Sequence, residues 1–203
     1  MDGFARRKEQ SKDDIRRAAW ELFSQFGVDK VSMTDIARKA GVSQATIYNN
    51  FGNKEALARE FVTTMVESLV SRVQEITQSA RSYQEKMAAF FQFISTMMAD
   101  GKPSPSGSAV FTSSVDLQND PEIREIRMKA QEKMNALLLG LIEEGRQQGQ
   151  VNAHLSEAAL RIYFIVFMDA FTHSEFQHEY SRRPSLVDEL GSLMMYGLKG
   201  EMM

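Results

Sequence analysis

The sequence predicts an all-α protein: a three-helix N-terminal domain built on a helix-turn-helix, then a larger helical domain, about nine helices together. Three observations predict it. Apolar residues recur at i, i+3, i+4 and i+7 through most of the 203 residues, and no run alternates convincingly as a half-buried strand does. Proline, which breaks helices, occurs only 4 times and not before Pro103. Two short helical patterns flank a glycine turn between Ser32 and Lys54, the layout of a helix-turn-helix.

Each element has its own signals. The first helix is expected to start near Ser11 as a cap, with Asp13 and Asp14 at the positive end of its dipole. Its apolar stripe is Ile15, Ala18, Ala19, Leu22, Phe23 and Phe26, and Gly27 ends it. Arg6, Arg7 and Lys8 would precede it as a flexible basic arm, either solvated or in contact with a polyanion. Ser32 to Asp35 resembles a capping box for the second helix, which turns Ile36, Ala37 and Ala40 inward. Gly41 gives the sharp turn and Val42 fills the corner. Ser43 caps the third helix, with Ile47 and Phe51 inward and Gln44, Ala45, Thr46, Asn49 and Asn50 outward. Gly52 and Asn53 separate it from a fourth helix over 54–78, which carries Leu57, Phe61, Met65 and Leu69 on one side.

The second half continues in the same style. A helix over 82–99 is followed by the Gly/Pro/Ser-rich loop at 100–108 and a short element at 110–117. Asn119 or Asp120 caps the next helix, Pro121 stands at its first position, and Gly149 closes it. The stretch from Ser156 is apolar nearly all round, which predicts burial on more than one side. A last helix over 185–199 follows a break at Arg182 to Pro184. The expected domains are 1–53 and 54–203, with helix 54–78 connecting them.

Composition narrows the function classes. With 43% hydrophobic and 25% charged residues the chain reads as an ordinary globular protein. Its net charge is −3, but the first 60 residues hold eleven Lys and Arg against nine Asp and Glu. The remainder holds thirteen against eighteen, so the positive end coincides with the helix-turn-helix. No cysteine is present, which excludes disulfides and thiolate metal sites. No apolar run follows the N-terminal basic residues as a signal peptide requires, and none approaches the ~20 residues of a membrane span. A cytoplasmic, soluble protein is the expectation, with no cofactor.

The chemistry concentrates on the third helix. A helix exposed only to water normally carries Glu and Lys. This one presents Gln44, Thr46, Tyr48, Asn49 and Asn50, which exchange hydrogen bonds with base edges and phosphates, and Ala45, small enough to lie against a thymine methyl. The helix starts at Thr34 and Ser43 offer amide donors to phosphate, and Lys54 follows as a cation. No Gly-rich phosphate loop, nucleophile motif or His–carboxylate pairing accompanies them, so an enzyme is not expected. His154, His173 and His178 lack the i, i+4 spacing of helical metal ligands, and no metal site is expected.

The run TDIARKAGVSQATIYNNFGNKEAL, behind an amphipathic helix ending in Phe-Gly, resembles the signature of the TetR/AcrR family of transcriptional repressors. The resemblance covers residues 11–60. It implies that Thr34, Gln44, Thr46, Tyr48 and Lys54 stand where the family contacts DNA, with Tyr48 and Lys54 on phosphate. Asn49 and Asn50 depart from the aromatic or His the family often has there. The resemblance further implies a homodimer through helices 156–177 and 185–199, with recognition helices about 34–36 Å apart on a palindromic operator. A small, often hydrophobic effector would enter the second half, among candidates Phe90, Phe93, Met97, Phe111, Met134, Tyr163, Phe167 and Phe171, and act by rotating the fourth helix. Set against this regulator are an all-helical enzyme or a partner-binding module with an incidental helix corner.

Overall fold

The computed structural model describes residues 3–99, 119–172, 176, 179–180, 182–183 and 185–199. Among them run eight helices: α1 (Gly3–Phe26), α2 (Met33–Ala40), α3 (Gln44–Phe51), α4 (Lys54–Thr77), α5 (Tyr83–Ala99), α6 (Pro121–Gln147), α7 (Glu157–Thr172) and α8 (Ser185–Lys199). No strand occurs among the described residues, in keeping with the all-α expectation. The loop at 100–108, the element at 110–117, Phe111, His173 and His178 lie outside the described residues, as does the side chain of Phe171. Two compact units are drawn from Met1–Ser68 with Lys102–Met128 and from Leu69–Gly101 with Lys129–Met203.

In the first unit α1 begins at Gly3, not near Ser11, so Ser11 is no cap. Arg6, Arg7 and Lys8 are helical rather than a flexible arm. The reason is composition: Ala5 to Gln10 are strong helix formers, and no Gly or Pro interrupts the chain from Phe4 to Phe26. Ile15, Ala18, Ala19 and Phe23 are buried as the stripe requires. Phe26 is not, at 48% exposed; with Leu22, Val31, Lys30 and Arg38 it lines an open cleft of about 380 Å³. Phe61 of α4 meets Trp20 and Phe23 edge-on, with ring centroids 5.0 and 5.4 Å apart. Asp120 caps α6, accepting from the amides of Glu122 (2.9 Å) and Ile123 (3.1 Å), and pairs with Arg59 at 3.1 Å. Burial pushes the Asp120 carboxyl upward, yet those amides and Arg59 together hold it below the usual carboxylate range.

The second unit is centred on α5. Tyr83, Met87, Phe90, Phe91, Ile94 and Met97 are buried with Leu138, Leu141 and Ile142 of α6, Leu160 and Phe164 of α7, and Val187, Met194 and Leu198 of α8. Two glycines permit this packing. A Cβ on Gly145 would lie 2.5 Å from the Tyr83 ring, and one on Gly191 would lie 2.8 Å from Phe91. Burial drives the Tyr83 phenol up to about 12. Lys86, itself buried, reaches Glu144 at 2.7 Å and joins α5 to α6. Gly149 closes α6 at φ 67°, as its position predicts.

The apolar stretch from Ser156 is buried on one side only within this chain. Within this chain α7 buries Leu160 and Phe164, whereas Ile162, Tyr163, Ile165 and Val166 are exposed. The all-round apolar pattern therefore reflects one face in the core and another that the single chain leaves open. On α8, Leu193 and Tyr196 are exposed as well, at 66% and 79%.

Candidate nucleic-acid interface

The interface is built from two capped helices and the corner between them. Ser32 caps α2: its Oγ accepts from the Asp35 amide at 3.2 Å, and the Asp35 carboxylate accepts from the Ser32 amide at 3.1 Å. This is the capping box read from the sequence, with Asp in the place of Glu. Hydrogen bonds from the Ser32 hydroxyl and then its amide hold the Asp35 carboxyl below its ordinary value. Gly41 takes the left-handed conformation, φ 68° and ψ 29°, and both its amide and that of Val42 return to the carbonyl of Ala37. That turn aims α3. Ser43 caps α3 by accepting from the Thr46 amide at 3.1 Å, and Oγ of Ser43 lies 2.8 Å from Oγ1 of Thr46.

The buried side of α3 is anchored by Ile47, with no exposure, and by Phe51, which is half-buried. The Arg16 guanidinium lies 5.7 Å from the Phe51 ring centroid, donates to Glu60 at 2.8 Å and pairs with Asp13 at 3.1 Å. One α1 side chain therefore holds the C-terminal end of α3 and the first turns of α4. Sequence reasoning missed this. Arg16, Phe51 and Glu60 are far apart in the chain, and no local spacing signals that they meet. Lys39 to Glu21, at 2.7 Å, ties α2 to α1 in the same way.

On the open side, Thr34, Gln44, Ala45, Tyr48 and Asn49 are exposed, and Thr46 is half-buried. Gln44 and Thr34 meet: Nε2 of Gln44 donates to Oγ1 of Thr34 at 2.6 Å. Asn50 is turned back instead, half-buried, its amide donating to the carbonyl of Thr46 at 2.8 Å. Gly52, at φ 80°, ends α3, and Oδ1 of Asn53 caps α4 by accepting from the Ala56 amide at 2.7 Å. Lys54 is thereby fixed as the first residue of α4. The α3 sequence QATIYNNF has no charged residue, so its dipole is uncompensated at the N-terminal end. The arrangement is a polar, uncharged helix standing clear of its support, flanked by hydroxyl groups and one cation.

The second-unit candidates are placed differently. Phe90 and Met97 are buried in the core, and Phe93, Met134 and Phe167 are packed against it. Tyr163 lies on the exposed side of α7, with its ring stacked on Phe167 at 6.4 Å.

Residues 15–61 match the family model described as bacterial regulatory proteins, tetR family. The chain is 24% identical over 190 residues, 92% of its own length and 94% of the other's, to the HTH-type transcriptional regulator YhgD of Bacillus subtilis (strain 168). Among solved structures it is similar to the transcriptional regulator FadR from Bacillus subtilis in complex with stearoyl-CoA. That likeness has a TM-score of 0.63 and 20% identity and covers 92% of this chain and 98% of that one. It is also similar to a transcriptional regulator from Saccharomonospora viridis in complex with choline, with a TM-score of 0.70, 19% identity and coverage of 92% and 94%. The two structural likenesses show a shared fold.

Proposed function

Residues 15–61 are the DNA-binding domain of a tetR-family transcriptional regulator, and on that premise we propose that the chain is a ligand-responsive repressor of the cytoplasm. In this reading a homodimer occupies a palindromic operator and leaves it when a small, apolar effector enters the second unit. The observation that carries the reading is the open face of α3, where exposed hydrogen-bonding side chains replace the charges a solvated helix would have. Gln44, Ala45, Thr46 and Asn49 read base edges. Thr34, Tyr48 and Lys54, with the first amides of α3, hold phosphate, and Ser43 sets those amides. Asn50 supports the shape of α3 from behind.

Two copies are needed, because one helix spans only a few base pairs. The exposed apolar residues Ile162 and Val166 of α7 and Leu193 and Tyr196 of α8 supply a face for the second copy. The reading that an effector binds draws support from the stearoyl-CoA and choline held by proteins of this fold, of which only the stearoyl chain is apolar. Phe90, Phe93, Met97, Met134 and Phe167 are its proposed lining, with Tyr163, Phe111 and Phe171 as further candidates. Residues of α4 belong to both compact units, Lys54–Ser68 to the first and Leu69–Thr77 to the second. That continuity makes α4 the proposed carrier of the signal: an effector that favours one setting of α4 shifts the population toward one spacing of the recognition helices.

Selection of bound fragments from the source genome tests the reading, followed by affinity measured across a salt series. The logarithm of the binding constant should fall linearly with the logarithm of salt. Lys54→Ala removes one cation per protomer, so the slope should shrink by about 1.8 for a dimer while sequence preference stays. Gln44→Ala should instead relax preference at particular base pairs, with the slope kept. Salt-independent binding, or failure to enrich any fragment, refutes the proposal.

A further inference from the structure

We propose that Thr34 is a positioning residue for base readout: its hydroxyl fixes the amide of Gln44 so that α3 presents an acceptor–donor pair selective for adenine. The inference rests on the DNA-binding reading above and deepens it. Gln44 opens α3, and Thr34 lies in the first turn of α2. The turn at Gly41 folds the two helix starts together, and Nε2 of Gln44 donates to Oγ1 of Thr34 at 2.6 Å.

A glutamine amide carries one carbonyl acceptor and two N–H donors. On an exposed helix its last torsion is broad and roughly two-fold, so either end can face outward. The backbone beneath Gln44 is already fixed, since Ser43 caps the helix through the Thr46 amide. The side-chain torsion is what remains to be set, and committing one N–H to Thr34 sets it. Oε1 and the second N–H are left for the ligand. That pair matches the N6–H donor and N7 acceptor of adenine in the major groove. Guanine offers two acceptors there, O6 and N7, and a carbonyl held outward opposes O6. The Thr34 hydroxyl hydrogen stays available for a backbone phosphate, so one residue joins phosphate grip to base choice.

The test uses the full chain and its selected operator, with A·T and G·C variants at the base pair where Gln44→Ala relaxes preference. Wild type should favour adenine there. Thr34→Val, isosteric but without the hydroxyl, should reduce that preference about two- to tenfold and leave the other positions of the operator unchanged. Thr34→Ser should restore it, and Thr34→Val should add no further loss of base preference to Gln44→Ala, whatever it does to overall affinity through phosphate. If Thr34→Val weakens binding to every variant equally with adenine preference intact, Thr34 serves phosphate alone and the proposal is overturned. A wild-type preference for guanine at that pair also overturns it, because the amide would then face the other way. If wild type shows no sequence-selective binding at all, the DNA-binding reading fails and the inference with it.

Discussion

The same substitution at two positions of one helix should change stability in opposite directions. Gly140 and Gly145 both lie inside α6. Replacing a helical glycine by alanine ordinarily stabilises by about 0.4–1 kcal/mol, because the unfolded chain loses freedom that the helix does not use. At Gly140 a new Cβ meets nothing within 4 Å, so Gly140→Ala should gain that amount. At Gly145 the Cβ would stand 2.5, 2.7 and 2.8 Å from three carbons of the Tyr83 ring. Carbon atoms rest about 3.5–4.0 Å apart, so the ring would have to retreat by roughly 1 Å. It has no room, being fully buried with its hydroxyl 3.9 Å from Sδ of Met195. Overpacking of this kind costs about 1–3 kcal/mol, which exceeds the propensity gain. The net expectation for Gly145→Ala is a loss of about 1–2 kcal/mol. Thermal unfolding followed by circular dichroism reads both, and for a chain of this size each kcal/mol moves the midpoint by about 2–4 °C. Tyr83→Leu should recover part of the Gly145→Ala loss, since the shorter side chain withdraws the clashing atoms. Equal stabilisation by both alanines would refute the close packing of Tyr83 on α6.

Three further outcomes follow from particular groups. Gly41→Ala should destabilise by about 1–2 kcal/mol through its left-handed backbone alone, since nothing lies within 4 Å of the added methyl; Gly41→Asn should cost less, and unfolding midpoints compare the two. Because the folded-state pKa of Asp35 is lowered, its contribution is present above the unfolded value of 3.8 and disappears as pH falls through the folded one. Asp35→Asn should therefore remove that part of the acid dependence, read as the difference in stability between neutral and acid pH. Leu193→Glu with Tyr196→Glu should yield a folded monomer by sedimentation, and a dimer that survives both would exclude α8 from the interface.

Much of the α2–α3 corner was legible because each part obeys a local rule. Ser32, Gly41, Ser43, Gly52 and Asn53 act through neighbours within five residues, and local spacing reports such effects. Arg16 was not legible, since its partners Phe51 and Glu60 come from other helices. The Gln44–Thr34 bond stayed hidden for the same reason: it depends on the angle of the turn, which sequence spacing does not give. In the second unit the periodicity identified the helices but not their surroundings. An apolar residue obeys the same spacing whether it fills a core, as Phe90 does, or remains exposed, as Val166 does. The apolar stretch from Ser156 shows the same limit: hydropathy marks both of its faces alike, and only the structure separates the one that holds Leu160 and Phe164 from the one that holds Ile162 and Val166.

The start of α1 carries a functional consequence. Arg6, Arg7 and Lys8 in a flexible arm could thread a minor groove, where an extended chain fits and a helix does not. As α1 begins at Gly3, these residues ride on a helix. Their proposed share in DNA binding is then electrostatic, through phosphate, and adds affinity without reading sequence. In the proposed reading base choice consequently falls on α3, which carries no charge of its own, with Thr34 of α2 positioning Gln44. In this proposal affinity and specificity thereby fall to different residues: cations on α1 and at Lys54 for the first, the uncharged face of α3 for the second. A regulator divided in this way would gain little selectivity from added positive charge. It depends instead on how firmly Gln44 and its neighbours are held, which is what the capped turns at Ser43 and Gly41 provide.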